Sequence, residues 1–192
     1  MAPDRTANIV DIGAGASTLV DGLLRSGYRN LTVVDLSASA LALAQQRLGS
    51  AAAAVTWQAD DVLTAGFARS TFDLWHDRAV FHFLTDPADR ARYVAQAHHA
   101  VRRGGLVLVA TFAEDGPTRC SGLDVVRYSP EALHAEFGAR FELLESQREV
   151  HTTPSGSQQA FTYCVCRLGQ KGADEGGLRS PHPCPDLSAK RG

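Results

Sequence analysis

Asn8-Ile9-Val10-Asp11-Ile12-Gly13-Ala14-Gly15-Ala16-Ser17-Thr18-Leu19-Val20 joins a short apolar run to a glycine pair and then to the start of a helical pattern. Asn8 to Ile12 reads as a buried strand, and Leu19, Val20, Leu23 and Leu24 fall on one face of a helix over about 17–26. The glycines therefore sit at a strand-to-helix turn. Two glycines one residue apart let the chain bend sharply and let a ligand reach main-chain N–H groups that a Cβ would shield. Asp11 stands two positions before the first glycine. A second acid, Asp35, ends the next apolar run, Leu31-Thr32-Val33-Val34, 20 residues beyond Gly15. In an open α/β sheet that spacing sets a carboxylate at the tip of the neighbouring strand, where it can accept the hydroxyls of a ribose.

Outward from this turn, strands alternate with helical patterns. Ser37 can cap an Ala- and Leu-rich helix that carries Leu41, Ala44 and Leu48 on one stripe and stops at Gly49. Val55 to Gln58 reads as a third strand that ends near Asp60 and Asp61. Phe72 to His76 reads as a fourth, delivering Asp77 and Arg78 at its end. Asp86-Pro87 opens a long helix, and Arg102-Arg103-Gly104-Gly105 is expected to close it, with cations at the negative end of the dipole. Leu106 to Ala110 is a continuous apolar strand, as in a sheet buried on both faces.

The last third breaks this rhythm. Ser129-Pro130 opens a short helix through Phe137, and two strands follow at 141–150 and 160–167. The link between them, Thr152 to Ser157, is too short for a crossover helix, so the two strands must pair antiparallel at the sheet edge. The fold class is α/β: a doubly wound, Rossmann-like, seven-stranded sheet of order 3-2-1-4-5-7-6, parallel except for its C-terminal hairpin. One domain spans residues 1–168, and the Gly-, Pro- and Ser-rich tail at 169–192 is expected to be disordered.

Composition narrows the function. The formal net charge of −2 gives no basic stripe for nucleic acid, and no apolar run nears the ~20 residues that cross a bilayer. The Met-Ala-Pro-Asp-Arg start lacks a signal-peptide core, which makes the cytoplasm the default compartment. Cys120, Cys164, Cys166 and Cys184 show no C-x-x-C spacing. Cys164 and Cys166 share one face of a strand and are expected to pack as small hydrophobes, with no metal site.

Strand-alternating βα units that end in an antiparallel hairpin, with D-x-G-x-G after the first strand and an acid after the second, resemble the class I S-adenosylmethionine-dependent methyltransferases over about residues 8–168. Asp11, Gly13 and Gly15 match that superfamily's first motif, and Ser17 replaces its third glycine. The resemblance implies that the turn from Asp11 to Ser17 holds the methionyl part of the cofactor. It implies that Asp35, followed by Leu36, binds the ribose, and that Asp61-Val62 lies beside adenine, with Asp60 an equal candidate. A dinucleotide dehydrogenase is the rival reading, but it wants glycine three residues after Gly15, where this chain has Thr18.

The implied reaction is S-adenosylmethionine-dependent methyl transfer to a small-molecule acceptor. A protein lysine acceptor, or cofactor binding without independent activity, is the alternative. Acceptors in this family enter over the ends of the fourth and fifth strands. His76 is the candidate base, with Asp77 to orient it. The 16-residue stretch from Ala113 to Tyr128 has no clear period and is long enough to be a binding loop. Its Cys120, Arg127 and Tyr128, with His82, are candidate acceptor contacts. Because the first strand opens so near Met1, the N-terminal helix that usually covers the cofactor in this superfamily is expected to be absent.

Overall fold

The computed structural model describes residues 4–15, 17–153 and 156–170. A seven-stranded sheet forms from β1 (Asn8–Ile12), β2 (Asn30–Asp35), β3 (Val55–Ala59), β4 (Phe72–Arg78), β5 (Val101–Phe112), β8 (Phe141–Thr152) and β9 (Gln158–Leu168). Its spatial order is β3-β2-β1-β4-β5-β9-β8. The first five strands pair parallel, and β9 runs antiparallel to both β5 and β8. The expected topology is thus present. The strand numbers differ because a two-stranded hairpin, β6 (Arg119–Cys120) with β7 (Leu123–Asp124), forms inside the long loop after β5.

Strand alternation sends neighbouring residues to opposite faces. Ile9, Leu31, Val33 and Val55 pack against Val20 of α1 (Leu19–Arg25) and Leu41 and Ala44 of α2 (Ala38–Leu48). Val10, Ile12, Val34, Trp75, Val107 and Val109 pack on the other face with Tyr93 and Ala97 of α3 (Pro87–Ala100) and Leu133 and Phe137 of α4 (Pro130–Phe137). Cys164 and Cys166 are buried in this second core, where loss of hydration pushes their thiols up to about 11 and about 12. The caps read from the sequence form: Ser37, Asp86 and Ser129 accept from the backbone N–H groups of Ala40, Ala88 and Ala132.

Local boundaries differ at three places. Helix α1 begins at Leu19, two residues later than its pattern suggested, because Ser17 Oγ accepts from Leu19 N outside the helix and holds the turn open. Residues 102–105 belong to β5 and do not close α3, which ends at Ala100. Val101 pairs with Phe72 and Leu106 with Leu74, so the chain bulges out between them, with Gly104 at φ +76°. Arg102 there pairs with the buried Asp73, which also accepts from Asn8 N. Finally, Gly169 and Gln170 of the expected tail are hydrogen-bonded to Arg140 and Arg103, while 171–192 and Cys184 lie outside the described residues. No helix among the described residues is long and apolar enough to cross a membrane.

Candidate functional site

The C-terminal ends of β1, β2 and β4 surround a cavity of about 380 Å³. Its walls include Gly13, Asp35, Leu36, Asp60, Asp61 and Val62, six of the nine residues that the sequence assigns to a cofactor. Gly13 and Gly15 adopt φ of +64° and +51°, the left-handed region that an L side chain enters only at a cost. A Cβ on Gly13 would lie 1.9 Å from Val80 Cγ2, so the turn is packed from above as well as bent. Gly13 N donates to Val34 O, and Gly15 N donates to Asp35 Oδ2 at 2.7 Å. Asp35 Oδ1 accepts from Ser37 N at 2.7 Å. This carboxylate ties the glycine turn to the start of α2. Each of its oxygens keeps a second lone pair for a hydroxyl donor.

Asp11 is 4% exposed. Its Oδ1 lies 2.7 Å from His76 Nδ1, and its Oδ2 is buried without a hydrogen-bond partner among the described residues. The pairing follows from register. Asp11 stands opposite His76 across the parallel β1–β4 ladder, so both side chains project from the same face. A carboxylate at Nδ1 favours the tautomer with its proton there and leaves the Nε2 lone pair available. The other end of the cavity is looser. Leu36 is 76% exposed, Asp60 Oδ1 accepts from Asp61 N, and Asp61 Oδ1 accepts from Leu63 N. Ser17 is exposed and outside the cavity lining, with its carbonyl accepting from Arg47.

Asp77, read as the partner of His76, faces the other way. It is fully buried on the α3 side and accepts from Val80 N, Phe81 N and the Tyr93 hydroxyl at 2.8, 3.0 and 2.5 Å. Trp75 Nε1 donates to the same Tyr93 oxygen. Burial pushes Asp77 up to about 6 against the pull of those donors. Its place in the site is indirect. It pins the turn of residues 79–83, in which Ala79 takes φ +73° and Val80 closes over Gly13.

The four candidate acceptor contacts scatter. His82 is fully buried and its Nδ1 accepts from Phe112 N, with burial lowering it to about 4. Tyr128 is buried, its hydroxyl is bonded to Glu136, and burial raises it. Arg127 is exposed and donates to Gly116 O. Cys120 is half-buried against Ala110, Phe112 and Phe161. None of these four lines the cavity. The wall on this side is made instead by Ala79, Val80, Phe83, Leu84 and Leu123. Leu123 follows Ser121-Gly122, whose positive φ values are those of a tight hairpin, and it is exposed at the cavity wall. Among the described residues no cluster of three or more His, Cys, Asp and Glu is placed to hold a metal.

A family model described as a methyltransferase domain matches residues 9–105. A ubiquinone/menaquinone biosynthesis C-methyltransferase of Roseobacter denitrificans is 28% identical over 117 residues, 59% of this chain and 46% of that protein. The chain thus spans less than half the length of that curated relative. An S-adenosylmethionine-dependent methyltransferase structure from Methanosarcina mazei superposes with a TM-score of 0.74 at 15% identity, covering 88% of this chain and 95% of its own. A second structure is the Burkholderia thailandensis 1,6-didemethyltoxoflavin-N1-methyltransferase with bound 1,6-didemethyltoxoflavin and S-adenosylhomocysteine. It gives 0.66 at 25% identity over 86% of this chain and 72% of that one.

Proposed function

Because the chain belongs to the methyltransferase domain family, we propose that it transfers a methyl group from S-adenosylmethionine to a small-molecule acceptor. The observation that carries the reading is the link from Gly15 N to Asp35 Oδ2 beneath a cavity walled by both residues' loops. The residues present fit this cofactor. Asp11 Oδ2 is a buried acceptor with no donor, and a ligand ammonium would supply one. Asp35 suits vicinal hydroxyls, and Leu36, Val62 and Leu123 offer apolar surface to a flat ring. The cavity of about 380 Å³ is in the usual size range for such ligands.

The glycine turn and Asp35 would hold S-adenosylmethionine, which would supply a sulfonium methyl group to the acceptor's lone pair and keep the bonding pair on sulfur. The protein's part is alignment, exclusion of water and removal of the acceptor's proton. His76 is the base of this reading. Asp11 orients its ring, its Nε2 has no partner among the described residues, and its side chain is 17% exposed, enough to meet a small acceptor. Asp77 acts through the turn it holds.

Titration calorimetry with S-adenosylmethionine, S-adenosylhomocysteine and NAD tests the proposal. Binding of both sulfur compounds without NAD is the expected result. Binding of NAD with no response to either sulfur compound would overturn it.

A further inference from the structure

Arg78 ends β4, two residues beyond His76 on the same face and one residue before the Ala79-Val80 wall of the cavity. It is exposed, yet it is held in place. Its Nε donates to the Tyr163 hydroxyl at 3.0 Å, and its guanidinium carbon stands 4.5 Å over the Phe161 ring. The register explains how. Ala110 of β5 lies between Arg78 and Tyr163, in line with both, and its small side chain lets the arginine cross β5 to reach β9.

Seven other arginines have a carboxylate within ion-pair distance, whereas Arg78 has none among the described residues. Its two terminal nitrogens carry no hydrogen bond there either. The aromatic contact and the phenol hold the group without neutralising it.

From this we infer that Arg78 anchors an oxyanion on the methyl acceptor, a carboxylate or a phosphate, so that the acceptor is an acidic small molecule. Tyr163 blocks the side-on approach through Nε, which leaves the end-on fork of the two terminal nitrogens. That fork matches two oxygens of one planar or tetrahedral anion. The fixed guanidinium loses little freedom on binding, and the aromatic floor keeps water from one of its faces. His76, on the same strand and face, then meets the far end of a molecule held at Arg78. The inference rests on the methyl-transfer reading for its choice of ligand as acceptor.

The test uses the full chain, with and without saturating S-adenosylhomocysteine, and ligand-observed NMR against benzoate, 4-hydroxybenzoate and phenyl phosphate beside neutral benzamide and phenol. At least one anion should bind about tenfold or more tighter than the neutral compounds, as a charge-assisted pair requires. That preference should vanish in Arg78→Gln and weaken severalfold in Tyr163→Phe, with thermal midpoint and S-adenosylhomocysteine affinity unchanged in both. No anion preference in the wild type, or one that survives in Arg78→Gln, overturns the inference. If the preference stands but S-adenosylhomocysteine does not bind, the anion site holds and the methyl-transfer reading alone falls.

Discussion

Replacing Gly13 by Ala tests the turn on which the site depends, and the structure supplies the size of the effect. The new Cβ would meet Val80 Cγ2 at 1.9 Å, and the backbone would remain at φ +64°. The left-handed conformation costs an L residue about 1–2 kcal/mol. The overlap adds a further ~1–3 kcal/mol, because a β-branched side chain has few rotamers to escape into. Val80 is also tethered, since its N–H donates to the buried Asp77. Gly13→Ala should therefore lose about 2–5 kcal/mol of stability. Val80→Ala alone removes two methyl groups from a half-buried position and should cost roughly 1 kcal/mol.

The double variant keeps the φ cost and loses the overlap. It should be more stable than the sum of the two single losses predicts by about 1–3 kcal/mol. Urea denaturation followed by the fluorescence of Trp57 and the buried Trp75 reads all four proteins. Calorimetry with S-adenosylhomocysteine should show binding lost in Gly13→Ala and partly regained in the double variant. Additivity within about 0.5 kcal/mol would refute the claim that Val80 packs into the glycine turn.

Asp35→Ala removes the acceptor of both Gly15 N and Ser37 N and should weaken S-adenosylhomocysteine binding tenfold or more, by roughly 1.4 kcal/mol at least; calorimetry showing unchanged affinity would argue that the carboxylate only braces the loop. Asp77 should give stability a pH dependence. Burial raises it from 3.8 to about 6, so the folded protein holds a proton that the unfolded chain releases between those values. Its contribution is full below pH ~4 and declines as pH rises through ~6, and the urea midpoint of the wild type should fall over that window relative to Asp77→Asn. Parallel profiles would mean that Asp77 is ionised throughout.

The glycine turn and the acids that wall the cavity were legible in the sequence and the placement of the loop residues was not, for a physical reason. A glycine turn and an acid on the next strand are local signals. Their geometry depends on backbone conformation and on one parallel pairing, both of which periodicity reveals. The candidates His82, Cys120, Arg127 and Tyr128 came from a 16-residue loop and a short turn, where no period says which way a side chain points. Two of them proved to be buried and bonded inside the fold. The boundary of α3 failed for a related reason. Two arginines before two glycines also suit a bulged strand, in which Val101 and Leu106 pair with β4 and Arg102 meets the buried Asp73.

The pairing of His76 with Asp11, and not with Asp77, shows what a one-dimensional reading omits. Neighbouring residues within a strand point to opposite faces of the sheet, and His76 and Asp77 part in that way. Register sets Asp11 beside His76, and alternation sets Arg78 on that same face while turning Asp77 inward to Tyr93. The end of β4 therefore does two jobs at once. His76 and Arg78 share the face that carries Asp11, while Trp75 and Asp77 build with Tyr93 the buried frame that holds Val80 against the glycine turn. A change at Asp77 should then be felt at the cofactor through Val80 before it is felt at His76.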